Sequence, residues 1–387
     1  MKFQNFLPLA LTKLATAQNG TPSNSSLIDV LSFNNHILSV LNGILEERLG
    51  FATALDRMVG VAILAPSDDA IRSFLNNTTI DRMLASDPGA FEAFFFYHIL
   101  NGTYFIKDFM ETPMFIETML HNSTFENVTG GQVVEARKDG DTVGFYSTLK
   151  TEANVTRADL NFTGGVVHII NRVLEIPMNL SATAIVANLT AVTGAISAFH
   201  LTDDMTDMQE VTVFASSNDA FEAIASVVGS LSDDDLRSIL EYHIVQGRIE
   251  YSTALENGTL RTVEGSDLNI SVEDGAIYVD EARVISRDVL ISNGVIHVVD
   301  NVLNPNNTSG VPNSTSTLPA FSGISTISGV NVPPTTNVPI PAETTTGLVI
   351  LTGSRTGTFT DAGVPHATAA VAFGALFGGV AMVMNGL

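Results

Sequence analysis

Residues 61–71 read VAILAPSDDAI, and residues 211–221 read VTVFASSNDAF. Two further boxes repeat in the same order: Tyr97-His98-Ile99-Leu100 matches Tyr242-His243-Ile244-Val245, and GGVVHIINRVL at 164–174 matches NGVIHVVDNVL at 293–303. The distance between matched boxes shortens from 150 positions for the first to 129 for the last, whereas a solenoid needs a short fixed period. The sequence therefore predicts two globular domains in tandem, the first with longer loops.

Composition narrows the class of protein. A chain of 387 residues allows two or three domains, and a hydrophobic content of 45% is sufficient for well-packed cores. The chain contains no cysteine, which excludes disulfides and thiolate chemistry. A formal net charge of −23 argues against nucleic-acid binding, because a polyanion is bound by clustered Lys and Arg. We interpret the charge as that of a soluble, self-repelling surface.

The amino terminus has the features of a secretory signal peptide. Lys2 precedes a short apolar stretch, Phe6–Leu11, and the small residues Ala15-Thr16-Ala17 follow. A segment of this kind is removed during secretion. The sequence predicts a signal peptide over 1–17, with cleavage after Ala17.

The carboxyl terminus predicts a lipid anchor. From Ala367 onward the chain is apolar and uncharged to its last residue. A membrane-spanning helix needs about 20 residues of stronger hydrophobicity, whereas small residues, a polar spacer and a short apolar tail are typical of a glycosylphosphatidylinositol (GPI) signal. We predict such a signal over 361–387 with Asp361 as the attachment residue and Gly357 or Ser354 as alternatives. A weak transmembrane helix is the competing interpretation.

N-glycosylation sequons are dense along the whole chain. One such triplet means little, but this density together with a signal peptide indicates a secreted glycoprotein. The candidate asparagines are Asn19, Asn24, Asn76, Asn77, Asn101, Asn122, Asn127, Asn154, Asn161, Asn179, Asn188, Asn257, Asn269, Asn306, Asn307 and Asn313.

The local patterns of each half predict helices first. Leucines and valines recur at helical spacing over 27–49, which predicts one or two amphipathic helices, and Ala184–Phe199 has the same pattern in the second half. Each VAILAP-like strand then leads into a short helix that begins at Ser67-Asp68 or Ser217-Asn218, which are residue types that cap helices. The segment before each Tyr-His pair carries an apolar stripe at i, i+3, i+4 and i+7 that includes the histidine.

Strand signals dominate the later part of each half. Asp139-Gly140 and Asp274-Gly275 predict hairpin turns, and the runs Val166–Ile170 and Val295–Val299 predict buried closing strands. Helices and hairpins within one unit indicate an α+β domain. We place domain 1 at 27–174 and domain 2 at 180–303.

The segments outside the domains differ in character. The linker Glu175–Met178 is short and predicts a restricted domain geometry. Residues 304–360 are rich in Ser, Thr, Pro and Gly, which predicts an extended, O-glycosylated stalk.

The repeated boxes resemble the signature of fasciclin-like domains. VTVFASSNDAF, EYHIV and NGVIHVVDNVL resemble its first box, central Tyr-His motif and second box, and VAILAPSDDAI, FYHIL and GGVVHIINRVL form a more divergent copy. The resemblance covers both domains, and it implies a wedge of β-sheets with packed helices and a non-enzymatic role in adhesion. The glycolipid tail and stalk are similar to those of fungal members.

The resemblance also implies interaction residues. In animal members the Tyr-His region and an Asp-Ile pair before the second box are implicated in integrin binding. The corresponding positions here are Tyr97, His98, Asp159, Tyr242, His243 and Asp288. Leu160 and Val289 stand where the family has Ile, so integrin-type recognition is not the expectation.

Other residue groups suggest chemistry, but a structural interpretation is favoured for each. The histidines His98 with His168, or His243 with His297, suit a metal or an acid–base pair, yet each is alone on an apolar face, which favours a core histidine bonded to backbone. The boxes at Ser67 and Ser217 lack the surroundings of a nucleophile, and we expect helix capping there.

A structural interpretation is also favoured for the acidic and aromatic clusters. Asp203-Asp204, Asp207 and Glu210, and then Asp233-Asp234-Asp235, suggest Ca²⁺, but they lack EF-hand spacing, and the last run suits a helix amino terminus. Phe94-Phe95-Phe96-Tyr97 suggests an apolar groove, and we expect core packing instead. No catalytic residue, metal or cofactor is predicted.

The sequence supports two hypotheses of function. The first is a non-enzymatic adhesion glycoprotein on the extracellular face of the plasma membrane or in the cell wall, with vacuolar delivery as the alternative. Its expected partners are surface, wall or matrix proteins or glycans, the membrane through the anchor, and weakly a second copy of itself. The second is a module that binds a small apolar ligand or a glycan.

Overall fold

The computed structural model describes residues 25–75, 88–198, 202–228 and 231–307, together with Phe321. These residues form two α+β domains. The predicted signal peptide, the anchor signal with Asp361, and the stalk apart from 304–307 and Phe321 lie outside the described residues. No described helix is long and apolar enough to cross a membrane.

Domain 1 opens with helices and ends with a long strand pair. Its described helices are Leu27–Phe33 (α1), Asn35–Glu46 (α2), Leu49–Asp56 (α3), Asp68–Leu75 (α4) and Pro88–Tyr97 (α5). Its strands are Val61–Pro66 (β1), Ile99–Asn101 (β2), Met114–Glu117 (β3), Val133–Asp139 (β4), Thr142–Tyr146 (β5), Glu152–Phe162 (β6) and Gly165–Ile170 (β7).

Domain 2 repeats this order with shorter loops. Its described helices are Leu180–Val186 (α6), Thr190–Ala198 (α7), Thr202–Asp207 (α8), Asn218–Val228 (α9) and Asp233–Tyr242 (α10). Its strands are Val211–Ser216 (β8), Ile244–Val245 (β9), Gly258–Arg261 (β10), Asp267–Glu273 (β11), Ala276–Val279 (β12), Ala282–Ile291 (β13) and Gly294–Val299 (β14).

Each domain contains one seven-stranded mixed sheet. The order is β2-β1-β7-β6-β5-β4-β3 in domain 1, and the corresponding strands follow the same order in domain 2. Only β1 with β7, and β8 with β14, pair in parallel. The long strand β6 pairs with β5 through 152–154 and with β7 through 155–162, with register shifts along it. It therefore joins the two parts of the sheet, and β13 does the same in domain 2.

The central strands are covered on both faces. In β1, Ala62 and Leu64 belong to one core cluster, while Val61, Ile63 and Ala65 belong to the other. A strand buried on both sides shows a continuous apolar run instead of alternation, which explains the composition of the repeated boxes. The α+β fold expected from the sequence is confirmed.

The local predictions are also confirmed. Asp139 ends β4 and Gly140 follows it in the turn to β5. Asp274-Gly275 connects β11 to β12 with both residues at positive φ, as a tight hairpin requires. The Ser67 hydroxyl accepts a hydrogen bond from the backbone amide of Ala70, and the Ser217 hydroxyl accepts one from the backbone amide of Ala220, both at 3.2 Å. Asp233-Asp234-Asp235 opens α10, where Ser232 and Asp235 form a reciprocal capping box.

Candidate interaction site

The tyrosines of the repeated motif lie inside the domains. Tyr97 and Tyr242 are both 0% exposed. The Tyr97 hydroxyl donates to the Val133 carbonyl at 3.0 Å, and the Tyr242 hydroxyl donates to the Asp280 carboxylate at 2.8 Å. Each side chain therefore fixes the end of its helix to a hairpin of the same domain. Burial raises the pKa of both hydroxyls, so both stay protonated.

His98 links a helix to the segment that follows the closing strand. Its Nδ1 donates to the Phe94 carbonyl at 2.8 Å, and its Nε2 accepts from the Leu174 amide at 2.9 Å. Both ring nitrogens are thus bonded to backbone. Burial lowers the pKa of His98 to about 4, so the ring is neutral at neutral pH.

His243 occupies the same place in domain 2. Its Nδ1 donates to the Ile239 carbonyl at 2.7 Å, and its Nε2 lies 3.0 Å from both the Leu303 amide and the Ser216 hydroxyl. Burial lowers its pKa to about 4 as well. The expectation of core histidines bonded to backbone is confirmed, and no ring nitrogen of His98 or His243 remains for a metal or a substrate proton.

The second histidine of each copy holds a loop against the sheet. In domain 1 the Nε2 of His168 donates to the Tyr104 carbonyl at 2.7 Å, and the Asp159 carboxylate accepts from the Ile106 amide at 2.9 Å. In domain 2 the ring of His297 and the carboxylate of Asp288 bind the Glu250 carbonyl and the Ser252 amide in the same way.

The two aspartates occupy an unusual backbone conformation. Asp159 and Asp288 have φ values of 57° and 58°, and they lie where β6 and β13 shift register against their neighbours. Asp tolerates this left-handed region better than most residues do. The conformation turns each carboxylate toward the loop that it binds.

Asp288 also lies at the junction between the domains. The Lys150 ammonium of domain 1 contacts Glu135 of its own domain and lies 3.8 Å from the Asp288 carboxylate. Burial raises the pKa of Glu135, and the nearby Lys150 opposes that rise. Asp288 is only 2% exposed. The Asp288 side chain is therefore buried among the contacts between the two domains.

The junction has aromatic and polar contacts besides this charge cluster. Phe115 of domain 1 stacks on Tyr251 of domain 2 with ring centres 4.0 Å apart and planes 9° apart. The Gln132 side chain donates to the Ile291 carbonyl at 3.1 Å, and the backbone N–H of Asn127 donates to the Ser292 carbonyl at 2.8 Å. These contacts restrict the domain geometry, as the short linker predicts.

The predicted interaction residues are therefore drawn into the domains. Tyr97, His98, Tyr242, His243 and Asp288 are buried, and Asp159 is half-buried with its carboxylate bonded. A partner would have to open the domain to reach the five buried side chains. Their role in partner binding stays a prediction, and their contacts favour a role in folding.

The phenylalanine cluster contains a feature that core packing alone did not predict. Phe94 and Phe95 line an apolar cavity of about 60 Å³ that is bounded by the helices α1 to α5 and by β1. Phe74 and Leu75 are at its half-buried rim, with Phe91 deeper inside. Phe94, Phe95 and Phe96 pack against the helical core of domain 1, as expected. Their half-buried rings leave this small gap beneath them.

Comparison with known proteins identifies the fold family. A family model described as the Fasciclin domain matches residues 37–177 and 187–305, so it covers both structural units. The chain belongs to the fasciclin domain family. Its two fasciclin domains are the two halves that the repeated boxes predicted.

Curated relatives cover the fasciclin pair and more of the chain. A "Fasciclin-like arabinogalactan protein" of Arthroderma benhamiae is 33% identical over 319 residues, which is 80% of this chain and 76% of the relative. The protein named elcF of Phaeosphaeria nodorum is 27% identical over 73% of this chain and 89% of its own length. A solved FAS1 domain pair from the insect cell adhesion molecule Fasciclin I covers 70% of this chain at 20% identity, with a TM-score of 0.33.

The fasciclin pair places its sequons in different environments. Asn101, Asn188, Asn257, Asn269 and Asn306 are exposed. Partly buried positions are Asn122, Asn127, Asn154, Asn161, Asn179 and Asn307, while Asn19, Asn24, Asn76, Asn77 and Asn313 lie outside the described residues. Asn127 differs from the others because its side chain reaches across the junction. Its Nδ2 lies 3.4 Å from the Met208 carbonyl, and its Oδ1 accepts from the Gln209 amide at 2.7 Å.

We expect Asn127 to be unglycosylated in the mature protein. A glycan on its Nδ2 would project into the Met208 carbonyl and separate the two domains. Glycopeptide mass spectrometry should find Asn127 unmodified and the exposed Asn257 modified. Thr129→Ala, which removes the sequon and leaves Asn127 intact, should not change the attached glycan mass or the melting temperature. A glycan on Asn127 in the folded protein would contradict the junction described above.

Proposed function

We propose that this chain is a non-enzymatic adhesion glycoprotein displayed outside the cell on a GPI anchor. The observation that supports the proposal is that the polar side chains of the repeated motif are bonded inside the domains. The ring nitrogens of His98, His168, His243 and His297 lie against backbone groups or a buried hydroxyl inside the domains. The motif therefore supports a scaffold, and the outer surface is left for recognition.

The surface supports contact through many weak interactions. Exposed sequons provide sites for glycans, and the relatives named fasciclin-like arabinogalactan proteins support a glycoprotein. Anchored copies act together, because the second contact between two surfaces forms at a high effective concentration. The proposed partners are surface, wall or matrix proteins or glycans, and weakly a second copy.

A bead assay tests the adhesive function. Beads coated with the purified full-length glycoprotein should clump with one another or with cells of the source organism. Heat-unfolded protein and an unrelated acidic glycoprotein serve as controls, and deglycosylated protein separates glycan from protein contacts. Beads that stay dispersed in every combination would refute adhesion.

The anchor needs its own test. Phosphatidylinositol-specific phospholipase should release the protein from intact cells, and Asp361→Leu should reduce its surface display. Retention on the cell, with a known anchored protein released in the same sample, would contradict the anchor.

The cavity in domain 1 favours a second function, binding of a small apolar ligand. Its lining is formed by aliphatic and aromatic residues, which suits an apolar group. At about 60 Å³ the cavity would have to widen to admit a whole ligand. If this function is the right one, the affinity for such a ligand should survive deletion of residues 304–387.

A further inference from the structure

An aromatic side chain from beyond domain 2 packs onto that domain. Phe321 is 8% exposed and belongs to a cluster with four residues of domain 2. Ala220 and Ile224 lie on α9, Ile239 lies on α10, and Val302 follows β14. We call this site the Phe321 groove. In this groove, domain 2 binds a phenylalanine ring between α9 and α10.

The internal duplication gives this groove a counterpart in domain 1. The repeated boxes align Ala220 with Ala70, Ile224 with Phe74, Ile239 with Phe94 and Val302 with Val173. Phe74, Phe94 and Val173 all line the apolar cavity of about 60 Å³, and Ala70 is buried in the adjoining core. The Phe321 groove therefore corresponds to the side of the cavity that α4, α5 and Val173 form.

The cavity is better suited to an aromatic ring than the groove is. Four phenylalanines line it: Phe74, Phe91, Phe94 and Phe95. The boxes place aliphatic residues at the four matching positions of domain 2, where Phe221 is the one aromatic ring beside the Phe321 cluster among the described residues. Aromatic rings prefer offset and edge-to-face contacts with one another, which add to the gain from burial.

We propose that the domain 1 cavity is a docking site for the Phe321 segment of a second copy of this chain. Phe321 and Phe359 are the only aromatic residues between 304 and 360, and Phe321 is the one already held by this fold. The inference deepens the proposed adhesive function and rests on it for bringing two copies together. Phe321 would leave its own groove to form a direct protein contact between neighbouring anchored molecules.

Docking requires a local rearrangement at the rim. A cavity of about 150 Å³ accommodates benzene, so a volume of about 60 Å³ holds only part of a ring. Phe74 and Phe94 are half-buried and stack with centres 5.2 Å apart. Separating these two rings admits the third ring between them. We expect a weak site, with a dissociation constant on the order of 0.1–1 mM for an isolated peptide.

Because the chain contains no tryptophan, a peptide that carries one can be followed by its own fluorescence. A synthetic peptide of residues 316–326 with Phe321→Trp is titrated with the full-length glycoprotein, and only the peptide contributes indole fluorescence. We expect a blue shift and a rise in anisotropy as the ring is buried. The unlabelled peptide with Phe321 should compete, and the same peptide with Phe321→Ala should not.

Matched variants locate the site. Ile71→Phe fills the cavity with the residue that domain 2 carries at position 221, and it should weaken peptide binding about tenfold. Ala220→Val narrows the Phe321 groove and should leave binding unchanged. Leu75→Lys, at the half-buried rim, is a second cavity variant in case Ile71→Phe does not fold, as judged by melting temperature.

The outcomes separate this inference from the adhesive function. Weaker binding with a folded cavity variant, and not with Ala220→Val, supports the proposal. Absence of binding at millimolar protein overturns it, as does sensitivity to Ala220→Val alone, since the peptide would then be exchanging with the chain's own Phe321. Beads coated with Ile71→Phe that clump as strongly as wild type would also overturn it, while leaving adhesion in place.

Discussion

Replacing His243 with alanine should destabilise domain 2 by about 3 kcal/mol or more. The imidazole joins α10 to the Leu303 amide and to Ser216 on β8. Its removal leaves a buried amide without an acceptor and a gap where the buried ring was. Denaturant unfolding followed by circular dichroism should show the loss as a shifted transition of domain 2.

A surface histidine provides the control for this variant. His36 is exposed on α2, so His36→Ala should change the stability by less than about 0.5 kcal/mol. Loss of adhesion in His243→Ala with an unchanged unfolding transition would refute the structural role assigned to the motif.

The pH dependence of the stability of His243→Ala tests whether the His243 ring is neutral in the folded domain. The pKa of His243 is lowered to about 4, below its ordinary value of 6.5, so the unfolded chain binds a proton that the folded domain rejects. Wild-type stability from this group is therefore complete above pH 6.5 and is lost as the pH falls toward 4. The stability difference between wild type and His243→Ala should shrink by on the order of 3 kcal/mol across this window. A constant difference would show that His243 is not buried as a neutral ring.

Gly294→Ala should have a still larger effect and prevent domain 2 from folding. A Cβ at this position would lie 1.8 Å from the Val211 carbonyl oxygen, and that oxygen belongs to the backbone of the neighbouring strand. The same close approach occurs in domain 1 between Gly165 and Val61 at 1.9 Å. Each glycine begins the closing strand, where it pairs in parallel with β8 or β1. Neither backbone can move without breaking that pairing.

Secretion yield and thermal melting measure this effect. Gly294→Ala should be retained in the cell or should lack the unfolding transition of domain 2. Gly43→Ala is the matched control, because a Cβ there meets nothing within 4 Å inside α2. It should stabilise domain 1 by about 0.5–1 kcal/mol. A Gly294→Ala protein that melts like wild type would contradict the strand pairing described above.

Much of the fold could be predicted because the duplication repeats its local signals. The serines that cap helices, the Asp-Gly hairpins and the apolar runs each occur twice, so a pattern that is ambiguous in one copy is supported by the other. The histidines were placed correctly for the same reason. Each lies on an apolar stripe, where a neutral ring bonded to backbone is the stable arrangement.

The contacts between the domains could not be predicted from the boxes. Lys150 contacts Asp288, and Phe115 stacks on Tyr251, so each pair joins segments far apart in sequence and in different copies. A charged residue in isolation predicts exposure, whereas the bulge and positive φ of Asp288 turn it inward. The cavity depends on how four rings pack, which helical spacing alone does not specify.

The central position of β14 has a mechanical consequence. With the proposed anchor, tension from the cell surface would first pull Phe321 out of its groove. It would then enter domain 2 just after Leu303 and pull along β14. Because β14 is bonded to β13 on one side and to β8 on the other, the load acts in shear on two ladders at once instead of peeling a single edge strand. Many hydrogen bonds must then yield together, which slows forced unfolding.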